Sequence, residues 1–272
     1  DPRISPDGEW TAYTVTTVDS TKDKSDSDVW MVRWDGSRTL RLTSSPENEG
    51  SPRWSPDNRY LSFVSGRYES KGGQVWLLDR AGGEAVRLTE LKGGVADHEW
   101  SPDGTRLAIL SHDPDPEDAK PDSLKSKNPK PIVIDRYKFK EDGDGYLDHR
   151  RDHIYVIDVA SHKVIQVTTG DFDERAPRWS PDGKRIAFVS SRGADPDREN
   201  NSDIFVVDAA AGATPRQVTT WAGPDRSPVW SPDGTQIAYL QGSEPQLSAY
   251  SQDQLAVVAS SGGTPRLRSP AH

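Results

Sequence analysis

Five times in 272 residues the chain writes nearly the same phrase, and a phrase repeated that often governs architecture before chemistry. The copies are "RISPDGEWTAYTVT" from Arg3, "PRWSPDNRYLSFVS" from Pro52, "HEWSPDGTRLAILS" from His98, "APRWSPDGKRIAFVSSR" from Ala176 and "PVWSPDGTQIAYLQ" from Pro228. The serines of Ser-Pro-Asp stand at 5, 55, 101, 180 and 231, so the steps are 50, 46, 79 and 51 residues. One step is too long by roughly 30 residues, which marks an insertion in the third repeat.

Within each repeat the grammar is constant. A short strand ends in Trp-Ser, Pro-Asp-Gly turns, and a second strand follows. Pro presets φ for the first corner, Asp can bond its own backbone, and Gly takes the left-handed conformation that ends a three-residue hairpin loop. Asn58 replaces Gly in the second copy and tolerates that conformation next best. A third strand reads "DVWMVRW", "QVWLLD", "HIYVID", "DIFVVD" and "QLAVVA", and a fourth reads "TLRLT", "AVRLT", "VIQVT", "PRQVT" and "PRLRS".

Four antiparallel strands about every 50 residues, with no helical periodicity, are the signature of a β-propeller blade. The second strand agrees, because "RIAFVS" is apolar at both parities: Ile186 and Phe188 on one side, Ala187 and Val189 on the other. Such a strand is buried on both faces. Trp54, Trp100, Trp179 and Trp230, each just before the turn, are expected as wedges between neighbouring blades. The expected fold is all-β, a propeller of five four-stranded blades spanning about 1–45, 46–92, 93–170 with an insertion at 111–150, 171–222 and 223–272.

Composition narrows the function. Hydrophobic residues make up 32% of the chain, but nine Trp, eight Tyr and five Phe supply bulk for a sheet core. A formal charge of −9 argues against nucleic acid or an anionic membrane as the main partner. The absence of cysteine removes disulfides, thiolate metal sites and thiol catalysis without fixing a compartment. No apolar run approaches ~18 residues, so no membrane-spanning helix is expected. The chain opens at Asp1 inside the first repeat, and any leader would lie upstream.

The repeat "WSPDG…IAFVS…DIFVVD…RQVT" resembles the propeller repeat shared by TolB-type proteins and the prolyl oligopeptidase family of serine peptidases. Three further stretches, "DRYKFKEDGDGYLDHRRDHIYVID", "SSRGADPDRENNSDIFVVDA" and "WAGPDRSPVWSPDGTQIAYLQG", are similar to the acylaminoacyl-peptidase branch. The resemblance implies a seven-bladed propeller stacked on an α/β-hydrolase domain, filtering short or N-acylated peptides by size. Two departures stand out: five repeats are present rather than seven, and no Gly-x-Ser-x-Gly elbow occurs. No triad residue carries over. The expectation is a non-catalytic gating propeller, an incomplete ring whose hydrolase domain is absent from this chain. Five blades are expected to form an open arc whose bare end faces favour self-association. The alternative is a free-standing TolB-like interaction scaffold.

Within the insertion, Asp142, Asp144 and Asp148 hint at a calcium loop, but Tyr146 occupies the fifth position where that pattern needs an acid. His149 and His153 are four apart, which suits a metal only on a helix, and their surroundings read as strand. No metal and no cofactor are expected. The run from 113 to 131 reads as an exposed connection. Beyond it, Arg136, Tyr137, Tyr146, Arg150 and Arg151 are the candidates for contact with a hydrolase domain, a second subunit or a peptide terminus, and either Arg150 or Arg151 could take a carboxylate.

Overall fold

The computed structural model describes residues 2–68, 72–120, 131–142, 145–242 and 252–268. In all five turns the serine carbonyl accepts the amide of Gly8, Asn58, Gly104, Gly183 or Gly234 at 2.8–3.0 Å, and that residue sits at φ of 62° to 73°. The serine does more than lead in. Its hydroxyl donates to the turn aspartate at 2.5–2.6 Å and accepts the amide of Trp10, Tyr60, Arg106, Arg185 or Gln236 at 2.8–2.9 Å. The serine bond first, and an amide two residues on, hold Asp7, Asp57, Asp103 and Asp182 below the usual carboxylate range and bring Asp233 to about 2. The turns therefore stay fixed across ordinary pH.

A β-branched residue at φ 66° is strained whatever space surrounds it. Gly183→Val is expected to lower stability by about 1–3 kcal/mol. Lys184→Gln, exposed beside it, should cost less than about 0.5 kcal/mol. Denaturant melts of the two variants check this, and equal losses would contradict the turn geometry.

The first repeat forms β1 (Arg3–Ile4), β2 (Trp10–Asp19), β3 (Lys24–Arg33) and β4 (Thr39–Arg41). The second forms β5 (Glu49–Trp54), β6 (Tyr60–Ser65), β7 (Gln74–Asp79) and β8 (Val86–Arg87). The third contributes β9 (Asp97–Trp100) and β10 (Arg106–His112), then the insertion with hairpin β11 (Lys140–Glu141) and β12 (Gly145–Tyr146), then β13 (Asp152–Asp158) and β14 (Val164–Gln166). The fourth holds β15 (Glu174–Trp179), β16 (Arg185–Ser190), β17 (Asp203–Asp208) and β18 (Arg216–Gln217). The fifth holds β19 (Asp225–Trp230), β20 (Gln236–Gly242), β21 (Asp253–Ala259) and β22 (Arg266–Leu267). Among the described residues these make five four-stranded sheets and one two-stranded hairpin, and each four-stranded sheet follows repeat order, the third as β14-β13-β10-β9.

The chain divides into two compact units, Asp1–Ser111 with Tyr155–Ile165, and His112–Ile154 with Gln166–His272. In the first, one cluster packs Ala12, Val29, Trp54, Leu61, Phe63 and Trp76. The indole of Trp54 donates to the Arg3 carbonyl at 2.8 Å, and that of Trp100 to the Ser62 hydroxyl at 2.9 Å. Each tryptophan thus bonds to the preceding sheet, as a wedge should. In the second unit, Val189, Ile204, Trp230, Ile237 and Tyr239 share a core, and Trp230 reaches the Arg178 carbonyl at 3.0 Å.

Two features depart from the sequence expectation. The first hairpin is longer than its repeat phrase: β2 and β3 pair over ten residues each, through Asp19 and Lys24, and Thr16, Thr17 and Val18 of β2 are exposed. Alternating Thr and Val sustain that ribbon, and Asp19 closes its turn by accepting the Thr21 amide and hydroxyl. The second feature is a bulge in β5, β15 and β19. It places Ser51, Ala176 and Ser227 at φ of 53°, 48° and 55°, each directly before a proline.

Candidate functional site in the long insertion

The second unit concentrates charge where β13 leaves the insertion and β15 begins. His153 stands one residue before Ile154, whose amide is bound by the Thr168 hydroxyl at 2.8 Å. That threonine donates to buried Glu174 at 2.9 Å. Glu174 also takes His153 Nδ1 at 2.8 Å and Arg192 at 2.7 Å, so one carboxylate serves three groups. The Arg192 guanidinium lies over the rings of Phe172, Phe188 and Phe205 at 5.0, 5.7 and 4.8 Å. Burial pushes His153 down, but its bond to Glu174 and the charges of Glu174, Asp113 and Asp173 outweigh burial and raise its pKa. The stabilisation from the charged imidazole is therefore complete below its ordinary value near 6.5 and is lost as pH rises through the raised one.

The five sequence candidates fall into three places. Arg136 and Tyr137 meet at Asp197, in the loop after β16. The Arg136 guanidinium approaches Asp197 at 3.3 Å and donates to the Asp148 carbonyl at 2.8 Å. The amides of Tyr137 and Lys138 also donate to the Asp197 carboxylate. Desolvation pushes Asp197 up, but the Lys138 and Tyr137 amides and Arg136 outweigh it and hold its pKa low. Arg150 joins this group, bonding Asp148 at 2.6 Å. Tyr146 lies apart on β12, its ring 6.5 Å from Phe139 and 5.8 Å from the Lys140 ammonium. Arg151 is elsewhere again, bonding Asp171 at 2.8 Å and Asp173 at 3.2 Å.

This geometry separates the two arginines. Arg151 is 15% exposed and spans two carboxylates of its own chain, whereas Arg150 is 35% exposed and pairs, among the described residues, with Asp148. Of the pair, Arg150 has the freer fork. Asp144 of the calcium-loop reading lies outside the described residues, and Asp148 is engaged by Arg150. His149 turns to Asp135 at 3.0 Å while His153 turns to Glu174, so the two imidazoles do not converge. Among the described residues no three His, Asp or Glu side chains gather as metal ligands, and no helix is long and apolar enough to cross a membrane.

Sequence reasoning missed Asp197, Glu174 and Arg192. A signal for two of them existed: Glu49 and Glu174 each stand five residues before the repeat tryptophan, with an arginine 18 residues further on, Arg67 and Arg192. Arg67 bonds Glu49 at 2.5 Å as Arg192 bonds Glu174.

Comparison with known proteins accords with this architecture. Residues 145–264 match the family model described as PD40, TolB beta propeller domain. The chain is 29% identical over 216 residues to the uncharacterized peptidase YuxL of Bacillus subtilis, covering 76% of this chain and 32% of that protein. It is 31% identical over 260 residues to dipeptidyl-peptidase 5 of Porphyromonas gingivalis, covering 87% of this chain and 36% of that one. The chain thus spans about a third of the length of these curated relatives. Among solved structures, the acylaminoacyl peptidase of Pyrococcus horikoshii superimposes with a TM-score of 0.70 at 19% identity, over 94% of this chain and 37% of the other. With five repeats, four-stranded antiparallel sheets and these likenesses in agreement, the chain carries a TolB-type (PD40) domain across residues 145–264 within an all-β propeller fold that takes in the repeats on either side.

Proposed function

We propose that this chain is the non-catalytic, substrate-gating propeller of a serine oligopeptidase similar to the acylaminoacyl peptidases, its hydrolase domain carried by sequence outside these 272 residues. The observation that carries the reading is the 31% identity to dipeptidyl-peptidase 5 across 87% of the chain, which accounts for only 36% of that relative's length. On this reading the five sheets are blades with extents of about 1–45, 46–92, 93–170, 171–222 and 223–272. The partners are the hydrolase domain and short or N-acylated peptides.

The insertion supports the assignment through its surface. Ile132, Val133, Ile134, Tyr137 and Tyr146 are all more than half exposed, while Asp197 anchors the same segment through Arg136 and two amides. Apolar side chains held out on an anchored arm suit contact with a further domain or a bound peptide. A TolB-like interaction scaffold is the second reading, favoured by the family match over 145–264.

The two readings separate in the full-length polypeptide. If the propeller gates, kcat/KM should fall at least about tenfold, about 1.4 kcal/mol, between short acyl-peptides and otherwise identical long ones. Asp197→Lys, which frees the insertion from its anchor, should shrink that ratio with less effect on the short substrate. A wild-type enzyme indifferent to peptide length would overturn the gating role.

A further inference from the structure

The polar joint built around Glu174 recurs one repeat later with its positive charges removed. The recurring parts are the residue before the first core position of the third strand, the threonine that closes the fourth, and the acid five residues before the next tryptophan. Around β15 they are His153, Thr168 and Glu174, supplemented by Arg192. Around β19 they are Asp203, Thr219 and Asp225. The position 18 residues after Asp225 is Ser243, and the sequence has no Lys, Arg or His between Arg226 and Arg266.

Backbone bonds hold the two aspartates in place. The Asp225 amide donates to the Ser202 carbonyl at 2.7 Å, and the Ser202 hydroxyl donates to the Asp225 carbonyl at 3.0 Å. Asp225 is 0% exposed, and among the described residues neither carboxylate oxygen has a hydrogen-bond partner. Asp203 accepts from the Gln217 amide at 2.9 Å and from the Thr219 hydroxyl at 3.3 Å. Thr219 is close enough to favour the charged form of Asp225 as well, but it has a single proton to give and the geometry assigns it to Asp203. Tyr239 gives its proton to Gln241 at 3.1 Å.

The charged groups on the surrounding strands are engaged elsewhere. Glu174 on β15 is held by His153 and Arg192, and Arg175 on the same strand is exposed. Arg185 on β16 lies over the Trp230 ring at 5.0 Å. Arg216 on β18 donates to the Ser260 and Ser261 carbonyls, and Arg226 on β19 pairs with Asp253 on β21 at 3.5 Å. Among the described residues no cation is aimed at the aspartate pair. Two buried carboxylates cannot both stay ionised without one.

We propose that the buried pair Asp203 and Asp225 takes up one proton in place of the missing arginine, which ties the joint between the fourth and fifth sheets to pH. Burial above all, and then the charge of Asp203, pushes Asp225 up to about 7, and burial pushes Asp203 up to about 6. As a coupled pair the two steps belong to the site rather than to either residue. Raised acids make the folded state bind more protons than the unfolded state. The joint's contribution is therefore complete below the ordinary carboxylate value of 3.8, falls as pH rises above it, and is gone once pH has passed through about 6 to 7.

The test compares wild type with Asp225→Asn, which keeps the shape of the side chain and removes its titrating carboxyl. At about pH 8 the variant should melt about 2–4 °C above wild type, and its melting temperature should vary less with pH. His153 titrates in both proteins and cancels in the difference. Carbon-13 NMR of labelled aspartate should show a near-neutral carboxyl midpoint in wild type that is missing in the variant. Asp203→Asn provides the same comparison should Asp225→Asn fail to fold. Identical pH profiles, or no aspartate midpoint above the ordinary range, would overturn the proposal. So would calcium or magnesium stabilising wild type but not the variant at about pH 8, since a cation would then occupy the place assigned to the proton.

Discussion

Glu174→Ala is expected to destabilise the protein by about 3–5 kcal/mol, the range for removing one partner of a buried ion pair. The loss exceeds that of a surface pair because three groups depend on this carboxylate. His153 and Glu174 are 3% and 0% exposed at the side chain, and Arg192 only 18%. Without the acid, Arg192 is left over Phe172, Phe188 and Phe205 with its charge uncompensated, and the Thr168 hydroxyl loses its acceptor. Glu174→Gln keeps an acceptor for Thr168 and should cost less. Adding Arg192→Met to Glu174→Ala should recover part of the loss, since a buried pair removed whole is cheaper than one broken. Denaturant unfolding of the three variants checks this ordering. A Glu174→Ala loss below about 1 kcal/mol, the scale of exposed pairs, would show that the joint does not hold the sheet ends together.

What the sequence disclosed depended on how local the interaction was. The turn is written in four consecutive residues, so both its location and the left-handed position at Gly183 or Asn58 could be read directly. The tryptophans could be read as wedges because an aromatic recurring at a fixed offset from the turn has one place to go, and Trp54, Trp100 and Trp230 each bond the preceding sheet. The bulges were opaque: a residue before proline is biased toward extended backbone, yet Ser51, Ala176 and Ser227 all turn left-handed there. The polar joints were hidden for a different reason. Glu174 meets His153 across 21 residues and Arg192 across 18, a spacing that no strand or helix period connects.

The candidate site was legible in outline only. Composition and length marked the insertion, and its aromatic and basic residues were the natural candidates. Their fates depended on acids that sequence did not single out: Asp197 for Arg136 and Tyr137, Asp171 and Asp173 for Arg151. Asp197 sits in "DPDREN", where nothing but the folded chain distinguishes it from Asp195.

The central claim, a propeller that serves a peptidase without supplying its chemistry, makes an all-or-none prediction about the 272 residues. They contain no Gly-x-Ser-x-Gly elbow, and the buried serines of the repeat phrase, such as Ser180 and Ser101, spend their hydroxyls on the turn aspartates. A serine whose proton is already committed to a neighbouring carboxylate is not an activated nucleophile, and the Ser62 hydroxyl, 2.8 Å from His98 Nε2 and 3.1 Å from the Arg53 carbonyl, is fully buried, as is that histidine. The most direct measurement is hydrolysis of an acyl-peptide and a p-nitrophenyl ester, with fluorophosphonate labelling, on the purified chain and on the full-length polypeptide side by side. The account predicts no turnover and no labelled serine in the 272-residue chain, and turnover with a labelled serine outside it in the longer protein. Activity in the isolated chain that survives removal of contaminants, or a full-length protein with neither turnover nor a labelled serine, would contradict it.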